Sequence, residues 1–295
     1  MRTSTLLERL VTRIEHATVL DAPAEAYASV LRTVVRPGPV EDTLSGVPVG
    51  HPVHPALVAV PIGAWVSAGV LDAQGERGAA RRLVGLGVLA ALPTAATGGS
   101  DYLTTAGAER RVGFVHAATN LAAIASYGVS WLLRRRGNDR AGVVASLVGA
   151  TALGAGGWLG GHLAYAQGVG VDTTAFQKLP TEWTEAAQVA DLPTDGSPSE
   201  VEVDGVPLLV AALDGAWVAM ADRCTHRGAP LHEGTVEDGC IVCPWHDSAF
   251  ALADGSVRSG PATRPQPSLE TRQDGGRLLV RRSEERTLRT NPTGR

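Results

Sequence analysis

Two short groups of residues in the C-terminal third carry metal-binding chemistry. Cys224 and His226 form a Cys-x-His pair, and after a gap of sixteen residues Cys243 and His246 form a Cys-x-x-His pair. Thiolate sulfur and neutral imidazole nitrogen serve zinc and iron alike. Two cysteines and two histidines are also a zinc-finger inventory, but zinc fingers group Cys with Cys and His with His along the chain. Here each group mixes the two types, with Pro244 and Trp245 inside the second.

The full run CTHRGAPLHEGTVEDGCIVCPWHDSAF resembles the Rieske [2Fe–2S] domain, and the resemblance covers roughly residues 181–283. It implies that the thiolates of Cys224 and Cys243 hold one iron and the imidazoles of His226 and His246 the other, each of two loops supplying one of each. Thiolates stabilise ferric iron more than imidazoles do, so an added electron settles on the histidine-ligated iron. High-potential members similar to the quinol-oxidising complexes place an extra cysteine in each loop, joined as a disulfide. The matching positions here are Ala229 and Trp245, so the chain is more similar to the Rieske ferredoxins, whose CPWH sequence it shares. Three residues are expected around the cluster. Ser248 stands where high-potential members donate a hydroxyl to a bridging sulfide, Phe250 replaces a tyrosine that would donate a second time, and Trp245 lies between ligands. One donor without the other implies a potential between the extremes of a window of about −150 to +300 mV.

Two neighbouring residues could be drawn into the chemistry. Cys240 precedes Cys243 by three positions and reads more simply as a buried thiol than as half of a redox pair. His232 lies in the first loop, where it is either a solvated side chain or an aid to electron or proton passage.

Loops of this kind need a rigid scaffold. Alternation in SEVEVDG, VPLLVAAL and AWVAMAD, with turns at Asp204–Gly205 and Asp214–Gly215 and a last strand RLLVRR, predicts a small antiparallel β domain. Residues 168–192 read as a linker and the start of that domain, and residues 284–295 as a disordered tail.

The preceding half has a different composition. Long apolar runs near 55–71, 83–103, 112–133 and 141–166, separated by arginine-rich loops, predict a four-helix transmembrane domain over residues 51–167, with Pro93 as a kink. A soluble four-helix bundle is the alternative, because alanine- and glycine-rich helices are weakly apolar; the near absence of charge and of a polar face favours the membrane. Residues 1–50 read as an N-terminal helical extension in which Leu6, Leu7, Leu10, Val11 and Ile14 share one face. The segments GHPVHPALVAVPIGAW, GGSDYL, HAATN and GGWLGGHLAY resemble an uncharacterised bacterial four-helix membrane domain found fused to Rieske domains. The fold class is thus multi-domain: an α-helical transmembrane four-helix bundle followed by a small all-β iron–sulfur domain.

Polar residues inside a membrane are costly and usually functional. His54, Asp101, His116, Asn120 and His162 sit at the span ends nearest the β domain, and His116, Asn120 and Tyr127 share a helical stripe. Three readings stay open: a b-type haem between His116 and His162 at the glycine-rich wall Gly156, Gly157, Gly160 and Gly161; a quinone site at His54, Asp101 and His116; or hydrogen bonds that only hold the bundle together. Four crossings return the chain to its starting side. Arg77, Arg81, Arg82, Arg134, Arg135, Arg136 and Arg140 in the opposite loops outnumber Arg110 and Arg111, which by the positive-inside rule puts the cluster on the exoplasmic face of the cell membrane.

A net charge of −4 supplies no basic field for nucleic acid. Three cysteines do not make a disulfide framework, and the N-terminus lacks the pattern of a cleaved secretory signal. The expected role is that of a membrane-anchored one-electron carrier, an oxidoreductase component whose partners are lipid and an electron donor and acceptor: quinone, haem or a partner oxidoreductase. A redox sensor tethered by its membrane half is the alternative. An oxygenase, which would need a mononuclear iron site after residue 283, is the least favoured.

Overall fold

The computed structural model describes residues 6–282, so the tail expected over 284–295 lies outside the described residues. These residues form two compact units: one of residues 6–36 and 52–169, the other of residues 37–51 and 170–282. The stretch expected as a single N-terminal extension therefore divides. Residues 37–51, containing the helix α3 (Pro39–Ser45), belong with the β unit, where the Gly260 N–H donates to the Asp42 carboxylate at 2.8 Å.

The helical unit opens with α1 (Leu6–His16) and α2 (Asp21–Val34). Of the predicted apolar face of α1, Val11 is buried beside Val112 and Leu159 and Ile14 packs against that cluster, while Leu6, Leu7 and Leu10 are exposed. Arg111 clamps Asp21 with two hydrogen bonds of 2.6 and 3.0 Å, and the Tyr102 hydroxyl donates to the Ala24 carbonyl at 3.0 Å.

Four segments are long and apolar enough to cross a membrane: His54–Ala73, Arg77–Leu103, Gly107–Arg135 and Asp139–Tyr165. The first is two helices, α4 (His54–Leu57) and α5 (Ala59–Ala73), and proline chemistry explains the break. Pro61 has no N–H for the Leu57 carbonyl four residues earlier, and that carbonyl instead accepts from the Thr94 hydroxyl at 3.4 Å. The other three are α6 (Arg77–Leu103), α7 (Gly107–Arg135) and α8 (Asp139–Tyr165); α6 runs through Pro93 as one helix. At 27 residues, α6 is about 40 Å long, enough to cover a hydrocarbon core of about 30 Å. Inside the bundle the Trp65 and Tyr127 rings stack at 4.2 Å. Glycines make the close approaches possible: a Cβ on Gly87 would collide with Trp65, and one on Gly149 would lie 2.9 Å from the Tyr127 ring.

The second unit is all-β apart from α3 and short turns. Its strands are β1 (Thr184–Gln188), β2 (Ser199–Val203), β3 (Val206–Leu213), β4 (Ala216–Ala221), β5 (Thr235–Glu237), β6 (Cys240–Val242), β7 (Ala249–Ala251), β8 (Val257–Ser259), β9 (Ser268–Asp274) and β10 (Arg277–Arg282). They form an antiparallel six-stranded sheet, ordered β1-β10-β9-β4-β3-β2 and nearly closed, and a four-stranded sheet, ordered β5-β6-β7-β8. Asp204–Gly205, Asp214–Gly215 and Asp238–Gly239 all have positive φ, which a two-residue hairpin turn of type I′ requires at both positions. The unbroken apolar run in β3 is buried on both faces. Leu208 and Val210 enter the core of the six-stranded sheet with Leu278 and Val280, while Leu209 and Ala211 enter a second core with Ile241, Phe250, Cys224 and Cys243. That second core packs the four-stranded sheet against β3 and β4 and holds the two loops that carry Cys224 and Cys243.

Candidate metal centre

The two loops share one construction. The first follows β4; in it the Cys224 N–H donates to the Ala229 carbonyl (2.9 Å) and the Gly228 N–H to the Cys224 carbonyl (2.8 Å). In the second, between β6 and β7, the Cys243 N–H donates to the Ser248 carbonyl (2.9 Å) and the Asp247 N–H to the Cys243 carbonyl (3.1 Å). Each cysteine thus closes a tight turn with both of its backbone groups. The residue four positions on is left-handed in both cases, with φ of 76° at Gly228 and 55° at Asp247.

The sequence pairs Cys with His, but the fold pairs like with like. The Cys224 and Cys243 thiols are buried within hydrogen-bonding reach of each other. The His226 and His246 rings meet edge to face with centroids 5.1 Å apart. Sharing a hydrogen with Cys243, together with burial, pushes the Cys224 thiol up, while the same hydrogen bond outweighs burial at Cys243 and brings it down to about 7. Burial, then His246 and Arg227, holds His226 down to about 3, so that its imidazole is neutral, as a metal ligand must be.

These residues fit a two-iron cluster better than a single ion. His226 Nδ1 is buried with no hydrogen-bond partner, at a cost of roughly 1–3 kcal/mol that a metal bond would remove. Four ligands of one zinc, at about 2.0–2.3 Å from the ion, would bring their donor atoms within about 4 Å of one another. Among the described residues, the set of three or more His, Cys, Asp or Glu donors within 4.8 Å of one another is Glu200, Asp222 and His232, not the four loop residues.

The residues expected around the cluster lie close to the two loops. Ser248 is fully buried, and its hydroxyl oxygen accepts from the Ala262 N–H at 3.0 Å, so its own hydrogen remains to be given. Phe250 lies in the core beside both cysteines, Ala229 is buried, and Trp245 stands 56% exposed between Cys243 and His246. Cys240 is half-buried on β6 with its thiol toward the Asp238 carbonyl.

Sequence reasoning missed several residues that fix the loops. Thr173, just past the last span, donates its hydroxyl to the Cys224 carbonyl at 2.7 Å and its N–H to the Thr225 carbonyl at 3.2 Å. Gly260, at φ +91°, presses on the second loop; a Cβ there would lie 2.6 Å from Ser248 Cα. The buried Gln266 reaches the first loop from the β8–β9 connector. His232 is not a freely solvated side chain, because its Nδ1 is 2.9 Å from the buried Asp222 carboxylate. Burial opposes its protonation, but Asp222 and then Glu200 outweigh this and raise its pKa. Thr173 and Gln266 stand far from the loops in sequence and offered no pattern by which to find their contacts.

The membrane residues do not converge on one site. His54 Nδ1 donates to the Thr94 carbonyl at 2.9 Å, with its ring lying over Gly98. His116 Nδ1 donates to the Gly156 carbonyl at 2.8 Å, and its Nε2 accepts from the Asn120 amide at 3.2 Å, which leaves neither nitrogen for a haem iron. His162 Nε2 bonds the Glu15 carboxylate at 3.0 Å. Among the described residues, no hydrogen bond joins the Asp101 carboxylate to the other four.

Comparison with known proteins covers both units. Residues 182–271 match the Rieske [2Fe–2S] domain, and residues 50–173 match a predicted membrane protein family, DUF2231. The ferredoxin subunit of 3-phenylpropionate/cinnamic acid dioxygenase from Escherichia coli (strain K12) is 32% identical over 96 residues, covering 32% of this chain and 89% of that one. The carotenoid phi-ring synthase of Chlorobaculum tepidum is 38% identical over 90 residues, but the chain spans only 14% of its length and covers 30% of its own. Among solved structures, the ferredoxin of carbazole 1,9a-dioxygenase from Nocardioides aromaticivorans IC177 aligns with 25% identity and a TM-score of 0.33, covering 35% of this chain and 100% of that one. With ferredoxin-type relatives matching its β unit over most of their length and a membrane domain preceding it, this chain belongs to the family of Rieske [2Fe–2S] proteins.

Proposed function

We propose that Cys224, His226, Cys243 and His246 hold a [2Fe–2S] cluster and that the protein is a membrane-anchored one-electron carrier. The observation that supports this best is the like-with-like pairing built by the twin loops, with thiol beside thiol, imidazole beside imidazole and His226 Nδ1 unsatisfied. When bound, the cluster supplies a site that takes up and releases one electron. The loops bury the thiols while leaving both imidazoles partly exposed, so the reducible side faces the surface where a partner docks. The likeness to a dioxygenase ferredoxin subunit supports a protein acceptor such as an oxygenase, and a partner oxidoreductase as donor.

The membrane half serves as a tether in this reading. The histidines of the bundle are spent on neighbouring helices, which supports neither haem nor quinone binding there. The arginine asymmetry of the loops supports a cell-membrane location with the cluster on the exoplasmic side. Full-length protein purified anaerobically is expected to contain iron and acid-labile sulfide in equal amounts, to give a paramagnetic signal on reduction and to lack a haem band. Zinc without sulfide would overturn the assignment.

A further inference from the structure

The connector between β8 and β9 carries Gln266 between Pro265 and Pro267. Proline disfavours the helical conformation in the residue before it, and its own φ is fixed, so this stretch is stiff and extended. Its main chain is pinned as well: the Gln266 N–H donates to the Gly255 carbonyl and the Ala221 N–H to the Pro267 carbonyl, each at 2.7 Å. From this base the fully buried Gln266 side chain enters the first metal-binding loop. Its amide NH₂ donates to the carbonyls of Ala221 and Arg223, both at 2.6 Å, and its Oε1 accepts the Thr225 N–H at 3.1 Å. Two carbonyls on one side and one N–H on the other can be matched only by a side chain with two donors and an acceptor, and they fix which end of the amide is which. The three backbone groups bracket Cys224, and Thr225 lies between it and His226. The same connector reaches the second loop, where the Ala262 N–H meets Ser248.

Resting on the cluster assignment above, we propose that Gln266 is the positioning residue of the first ligand loop and a determinant of the reduction potential. It holds the Cys224–His226 segment to the connector, and it engages the Thr225 amide, which would otherwise be free to donate to the electron-rich cluster. Donors to cluster sulfur and greater exposure to water both favour the reduced, more negative state. Removing the side chain therefore acts in one direction, raising the potential.

The test compares full-length holoprotein with the variants Gln266→Leu and Leu278→Ala. Leu278 is equally buried but lies in the other core, so its truncation destabilises the β unit without touching either loop. For Gln266→Leu, the one-electron equilibrium is expected to shift tenfold toward reduction, about 59 mV upward, with altered resonance positions and faster loss of iron to a chelator. Leu278→Ala should keep the wild-type potential. An unshifted potential and spectrum in Gln266→Leu would overturn the proposal while leaving the cluster assignment intact; absence of the signal from wild-type protein would remove that assignment itself. Should Gln266→Leu yield no holoprotein, hydrogen exchange on the wild type decides: a protected Thr225 amide supports the proposal, and rapid exchange overturns it.

Discussion

Ser248 shows how a single hydroxyl can be read once its partners are known. Its oxygen already accepts from the Ala262 N–H, so what remains is a buried O–H beside the loop that Cys243 closes. Given to the cluster, that hydrogen stabilises the reduced state. A net hydrogen bond of about 1 kcal/mol corresponds to roughly 40 mV for one electron, so Ser248→Ala is expected to lower the potential by about that amount in a redox titration; no change would mean that the hydroxyl gives its hydrogen elsewhere. Ser248 and the four proposed ligands were open to proposal from the sequence because their chemistry depends on residue type at short spacing. Thr173, Asp42 and Gln266 were not. Each holds the site through one hydrogen bond or a few, from 41 to 218 positions away, and single polar residues at such separations leave no local signature.

At the scale of elements, strands and spans announced themselves through hydrophobic pattern, while their pairing did not. The apolar run of β3 predicted a strand, but its burial on two faces depends on a second sheet assembled from residues 235–259. The spans were legible by length and composition, yet what locks them was misassigned. Arg134 was counted among the loop arginines; it is in fact fully buried at the end of α7, with two hydrogen bonds of 2.8 and 2.6 Å to Asp72 at the end of α5. Arg77 binds the same carboxylate at 2.9 Å, and Ser130 accepts from the Arg134 guanidinium at 3.0 Å. A buried pair adds little over an apolar replacement, but losing one partner strands the other and costs about 3–5 kcal/mol. Arg134→Leu should therefore lower the melting temperature of the purified protein in detergent, and Asp72→Leu/Arg134→Leu should recover most of the loss. If the double variant melts as low as the single one, packing around Arg134 rather than its charge holds the helices.

For the whole molecule, the number of crossings decides on which side the proposed electron transfer takes place. Residues 37–51 precede the first span and residues 170–177 follow the last, yet both bind the same β unit, through Asp42 to Gly260 and through Thr173 to Cys224. An odd number of crossings would put those segments on opposite sides of the membrane, so their meeting in one unit requires an even number. Which side that is depends on charge. Even with Arg134 and Arg77 engaged by Asp72, the opposite loops keep Arg81, Arg82, Arg135, Arg136 and Arg140, whereas Arg110 and Arg111 are paired with Glu25 and Asp21. In the orientation proposed here, with positive charge held on the cytoplasmic side, the β unit is outside. Single cysteines at Asn138 and at Ser197, introduced into a Cys240→Ser background, distinguish the two orientations in intact cells. A membrane-impermeant maleimide should label Ser197→Cys and spare Asn138→Cys. The reverse pattern would put the β unit in the cytoplasm, and labelling of both positions would show that Asp139–Tyr165 does not cross, which overturns the four-crossing arrangement.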